Sequence, residues 1–149
     1  MKRTINQKGG KPVGKKPDEW LKQADYDIDT AEFMFSGERY FYAVFMSHLS
    51  IEKALKGSYI QKFDKAPPKK HNLLYLIELI DPQIPDDLYD VIFILNRVST
   101  STRYSDSLQR MLEEFNKSKT GDVLEKSKEV LKWLKTRPHL SLNMPERGS

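Results

Sequence analysis

The chain has 149 residues, 31% charged and 38% hydrophobic, the size and balance of one globular domain. No uninterrupted apolar run approaches the ~18 residues of a membrane-crossing helix, and the lack of cysteine excludes a disulfide framework, a thiolate nucleophile and a Cys-based zinc site. The net charge of +4 and the pI near 9.1 point towards nucleic acid only until the charges are located. Residues 1–16 hold Lys2, Arg3, Lys8, Lys11, Lys15 and Lys16 and no acid, which leaves 19 basic against 21 acidic residues and a body near −2. This Gly-containing basic stretch buries no apolar area and reads as a disordered tail, either a solvated leader, the simpler reading, or a nucleic-acid-binding arm. No apolar segment follows it, so the pattern of a secretory signal is missing and a cytoplasmic protein is expected.

From residue 18 onward the pattern is helical. Trp20, Ala24, Ile28, Ala31 and Phe35 recur at spacings of three and four, which is one face of a helix over residues 18–36. Pro17, Asp18 and Glu19 suit its start, and Gly37 supplies a stop. The second helix, residues 40–63, carries Phe41, Val44, His48, Leu55 and Tyr59 on one face. A further sector of small residues, among them Ala43, Ser47, Ser50, Ala54 and Gly57, admits close approach of another backbone. Apolar or small on most of its circumference, it is expected to be central, covered inside a bundle or across a subunit interface.

Pro67 and Pro68 end that helix, and Leu73, Leu74, Leu76, Ile77 and Ile80 form a short apolar one. Leu88, Val91, Ile92, Leu95 and Val98 mark the next, over residues 86–99, after which STSTRYSD breaks the pattern. The last helix is expected to begin at residues 120–122 and to present Val123, Leu124, Val130, Leu131 and Leu134, with Lys126, Lys128, Lys132 and Lys135 on its other face. Pro138 closes it, and residues 138–149 read as a loose tail. No strand pattern or internal repeat is present. The predicted architecture is all-α: an up-and-down bundle of four long helices plus a short one, over residues 17–137.

Three segments together resemble a HEPN domain, the helical module named for higher eukaryotes and prokaryotes nucleotide-binding. They are YAVFMSHLSIEKALKGSYIQ at residues 42–61, PPKKHNLLYLI at residues 67–77, and the pair Arg103 and Tyr104. Their order and spacing agree with the family across residues 18–135. The resemblance implies a bundle that dimerises through its long helices, often encoded beside a small nucleotidyltransferase. One branch consists of metal-independent ribonucleases, usually toxins of toxin–antitoxin pairs, which use an Arg followed four to six residues later by His. That pattern fails here. After Arg97 and Arg103 the next histidine is His139, and eight residues separate Arg39 from His48. The resemblance therefore implies the branch for which nucleotide binding, or partnership with a nucleotidyltransferase, is the usual proposal.

Several polar residues stand out. His48 and Glu52 lie four apart on a largely apolar helical face, so they either react or form a hydrogen-bonded core pair, the simpler role. They offer two metal ligands and nothing at fixed spacing supplies a third. Lys56 falls inside the apolar arc, able to meet phosphate or to pair with Glu52. Lys69, Lys70 and His71 sit at the mouth of a helix, where they either hold an anion or leave His71 as a cap. Arg97, Arg103 and Tyr104 lie at and beyond a helix end, where guanidinium groups bind phosphate and a tyrosine stacks on a base; Arg103 alternatively pairs with Glu52 or Asp106.

The favoured reading is a non-catalytic homodimer that binds a nucleotide or serves a nucleotidyltransferase, with Arg103, Tyr104, Lys56, Lys70 and His71 as ligand contacts and no cofactor. The second is a ribonuclease in which Arg97 or Arg103 stabilises the phosphate and His48, with Glu52, supplies acid–base chemistry. The third is a protein–protein adaptor.

Overall fold

The computed structural model describes residues 14–81, 83–101 and 107–136, without the side chains of 99–101. Among the described residues six helices follow one another: α1 (Pro17–Ser36), α2 (Tyr40–Phe63), α3 (Leu73–Ile80), α4 (Asp86–Ser101), α5 (Leu108–Glu114) and α6 (Lys117–Thr136). No strand occurs among the described residues. The expected bundle of four long helices is present, but it carries two short helices instead of one. The tails expected at residues 1–16 and 138–149 lie outside the described residues, except that Lys16 is the N-cap residue of α1 and Lys15 Nζ lies 3.9 Å from the centroid of the Trp20 ring.

Helix α2 is the axis of the fold. None of residues 43–60 is exposed, because α1, α3, α4 and α6 all pack against it. Its small sector is closed by α1. Ser50 Oγ donates to the Ala24 carbonyl at 2.7 Å, and a Cβ built on Gly57 would lie 3.0 Å from Trp20 Cβ and 3.4 Å from the Pro17 carbonyl oxygen. Of the two covers left open by the sequence, that sector takes the one inside the bundle. Lys53 Nζ adds an ion pair to Asp27 of α1 at 2.9 Å.

Helix α1 ends at Ser36 with Gly37 as its C-cap, as expected from the sequence, whereas the start of α6 differs for a local reason. The left-handed residue after α1 is Glu38 (φ 63°), not Gly37. The Glu38 amide bonds the Phe35 carbonyl and the Arg39 amide bonds the Met34 carbonyl, the two hydrogen bonds of a Schellman ending. Helix α6 starts at Lys117 because Asn116 Oδ1 accepts from the Lys119 amide at 2.9 Å, a cap that precedes the apolar stripe by two turns. Helix α5 is absent from the sequence expectation. It has seven residues, none buried, and depends on Ser107 capping the Arg110 amide, too little for a periodic signal. Phe115 immediately after it is fully buried and seats this end of the chain in the core.

Three of the four lysines expected on the other face of α6 pair with α1 and α4. Lys128 pairs with Glu32, Lys135 with Asp25, and Lys126 with Asp87 at 3.2 Å. The Glu32 carboxylate holds the Lys128 ammonium above its ordinary pKa against partial desolvation. These exposed pairs align α6 more than they stabilise it.

Two substitutions test the α1–α2 packing by urea denaturation. Gly57→Val is expected to destabilise the fold by about 1–3 kcal/mol, because Trp20 and the Pro17 carbonyl leave no room for the added methyl groups. Glu38→Gly is expected to stabilise it by about 0.5–1 kcal/mol, by relieving a left-handed backbone that only glycine adopts without strain.

Candidate functional site

At 100° per residue, His48, Glu52 and Lys56 form one row along α2. All three are buried, at 1%, 6% and 8% relative exposure. The row meets the α2–α3 crossover, and its centre is the Glu52 carboxylate. Oε2 lies 3.0 Å from Lys56 Nζ and 2.7 Å from His71 Nδ1. His48 Nδ1 is 3.8 Å from Oε1, beyond direct hydrogen bonding, and its ring stacks near that of Phe45 with 11° between the planes. Among the described residues Glu52 Oε1 accepts no hydrogen bond. Lys56 Nζ also faces the Trp20 ring at 6.0 Å.

This arrangement favours one proton position. A carboxylate beside an ammonium is an acceptor only, so the short contact favours the tautomer of His71 with its proton on Nδ1. The His71 side chain is 69% exposed, which leaves Nε2 as the atom turned to solvent. A buried anion thus orients an exposed imidazole, as a carboxylate orients a ligating or proton-transferring histidine.

His71 is not the cap of α3. Asn72 Oδ1 takes that place by accepting from the Tyr75 amide at 2.9 Å, and Asn96 of α4 accepts from the Leu73 amide at 2.7 Å. With those donors engaged, an anion at this helix start has side chains to meet more than backbone. Lys70 Nζ lies 5.3 Å from the Tyr75 ring centroid, and Tyr75 is 42% exposed. No group of three or more potential metal-ligating His, Cys, Asp or Glu residues occurs among the described residues.

The structure therefore brings His48, Glu52, Lys56 and His71 together, with Lys70 beside His71 in the chain. It places Arg97 on α4, its Nη2 2.6 Å from Glu114 Oε2 of α5. Arg103 and Tyr104 lie outside the described residues. The partners found on Glu52 are Lys56 and His71, the latter 19 residues away and unsignalled by helical spacing. Tyr75 is missing from the sequence candidates, although a polar-tipped ring inside LLYLIELI, three residues beyond Asn72, marks the exposed edge of that helix. A groove of about 670 Å³ lies elsewhere, between the start of α1 and the end of α2; Lys16, Lys62, Asp18 and Asp64 line it with mixed charge.

Comparison with known proteins is consistent with this architecture. The family model of the HEPN domain matches residues 17–137. The chain is similar to the crystal structure of ST0689, an archaeal HEPN homologue, with a TM-score of 0.68 and 24% identity over 81% of this chain and 96% of that one. It is similar to the crystal structure of TT1696 from Thermus thermophilus at the same TM-score, with 18% identity over 80% of this chain and 95% of that one. No curated protein matches the sequence.

Removing Glu52 isolates the buried Lys56 ammonium. Glu52→Ala is expected to lower stability by about 3–5 kcal/mol, whereas Glu52→Leu combined with Lys56→Met is expected to recover most of that loss. Thermal and urea unfolding of both variants measure the difference.

Proposed function

Because the chain belongs to the HEPN domain family across residues 17–137, we propose that it works as a homodimeric binding module that takes a nucleotide, or serves a nucleotidyltransferase partner, without cleaving RNA. The observation that carries this reading is the outward-facing His71 imidazole, held through Nδ1 by a buried carboxylate and flanked by Lys70. That is a recognition element for a phosphate-bearing ligand. The ribonuclease reading has less support, since the sequence lacks the Arg–His spacing and the Arg97 guanidinium is engaged by Glu114. Arg103 and Tyr104, taken from the family resemblance, are proposed as further ligand contacts.

Exposed apolar side chains favour a dimer. Tyr26 and Phe33 of α1 are 73% and 74% exposed, and Phe93, Leu108 and Leu112 add more apolar surface on α4 and α5. No described helix is long and apolar enough to cross a membrane.

Light scattering followed by calorimetric titration with AMP, ATP, GTP and a short single-stranded RNA tests the proposal. The expected result is a dimer with saturable mononucleotide binding, weakened in Arg103→Ala, and RNA left intact. RNA shortening that disappears in His48→Ala replaces the proposal with a ribonuclease. Absence of any binding points to a protein adaptor.

A further inference from the structure

Neutralising Glu52 does not require His71. Lys56 is one helical turn away, equally buried, and 3.0 Å from the same oxygen. A second donor at 2.7 Å, drawn from an exposed side chain 19 residues along the sequence, adds orientation more than charge balance. The ring is pinned at Nδ1 and its side chain is 69% exposed, which leaves Nε2 as the nitrogen available to a ligand. Beside it in the chain, Lys70 lies over the face of Tyr75, an aromatic ring in the first turn of α3 that the core leaves 42% exposed. The nearby amides of Leu73 and Tyr75 are capped by Asn96 and Asn72, so a ligand here is read by side chains.

The geometry points to a nucleoside-monophosphate subsite at the start of α3, in which Tyr75 stacks on the base and Lys70 and His71 Nε2 hold the phosphate, while Glu52, backed by Lys56, is the positioning residue for His71. The subsite rests on the nucleotide-binding reading above and gives it a location and a ligand chemistry. Tyr75 supplies a π-face that tolerates any base. Lys70 lies over that face, as a cation covers an aromatic ring, and a change of its rotamer releases the face and lets it meet a phosphate. His71 offers a ligand one atom of fixed direction: Nε2 accepts from a hydroxyl or a protonated phosphate when the ring is neutral, and donates to a phosphate oxygen when it is charged. Glu52 never touches the ligand. A bland alternative is that Glu52–His71 only fastens the crossover to α2, which predicts changes in stability and none in ligand affinity.

The test uses the full chain, with AMP as probe, adenosine and ribose 5-phosphate as half-ligands, and a short single-stranded RNA to separate a free nucleotide from a strand. AMP is expected to bind saturably and each half-ligand about tenfold or more weakly. His71→Ala and Tyr75→Ala are each expected to lose about tenfold in AMP affinity with an unchanged helical circular-dichroism spectrum. Nitrogen-15 spectra of the wild type are expected to show neutral His71 protonated at Nδ1 and its Nε2 resonance moving on AMP addition. Glu52→Gln is expected to shift that tautomer and weaken AMP; if this variant does not fold, the wild-type tautomer decides the positioning role. RNA bound more tightly than AMP, with the same dependence on His71 and Tyr75, identifies a strand as the source of the nucleotide. AMP binding unchanged in both alanine variants overturns the subsite and leaves the wider reading standing. Failure of the wild type to bind AMP overturns the subsite, failure to bind ATP, GTP and RNA as well overturns the nucleotide-binding reading, and a wild-type His71 protonated at Nε2 overturns the role of Glu52.

Discussion

Enclosure of α2 on all sides is the constraint from which the rest of the structure follows. A helix with no exposed residue from 43 to 60 has to draw most of its polar contacts from its neighbours, because little water reaches it. Several such groups have become links to another element. Ser50 reaches the α1 backbone at Ala24, Lys53 reaches Asp27 of α1, and Glu52 reaches His71 in the crossover to α3. The register of α1 against α2 is set by two of these contacts together with the close approach at Gly57. A larger residue there would push Trp20 away, and with it the ring that faces the Lys56 ammonium.

The position of the crossover is determined from several directions at once. Asn96 holds the start of α3 to α4, Lys62 Nζ donates to the Ile80 carbonyl at the other end at 2.6 Å, and Leu73, Leu76, Ile77 and Ile80 are fully buried. With α3 anchored by packing and by both ends, the Glu52–His71 contact is not needed to hold it. That redundancy is why a ligand-directed role for His71 fits the arrangement better than a purely structural one. A histidine serving only to tie the chain down gains nothing from a ring that is mostly in water.

The bundle is legible in the sequence because its signal is repetitive. Five apolar stripes, each at spacings of three and four, identify α1, α2, α3, α4 and α6, and the family resemblance covers them. Features resting on single residues are not legible. Asn116 advances α6 to Lys117, and Glu38 replaces Gly37 as the left-handed residue, each through hydrogen bonds that periodicity does not encode. The site divides in the same way. His48, Glu52 and Lys56 share a face by helical arithmetic, which includes the Glu52–Lys56 pair; His71 joins them only through the tertiary path of the crossover. In the sequence it stands out for another reason, proximity to a helix start, and Asn72 and Asn96 fill that role instead.

Charge placement decides what size of anion this surface suits. A pI near 9.1 describes the whole chain, but six of its cations lie in residues 1–16, and residues 17–149 carry more acid than base. Within the bundle Lys128, Lys135 and Lys126 of α6 are paired with Glu32, Asp25 and Asp87, and neighbouring carboxylates hold Lys126 and Lys128 above their ordinary pKa values, charged but locally balanced. Duplex recognition needs a continuous stripe of phosphate-neutralising cations. Ion-paired lysines on α6 do not make one, and Arg97 is committed to Glu114. What the described bundle offers is a short basic run, Lys69 and Lys70, beside an oriented histidine and an exposed aromatic ring. On the reading proposed above, that combination is scaled to one phosphate and one base, and selectivity rests on the fixed direction of His71 Nε2 more than on the overall basicity of the protein.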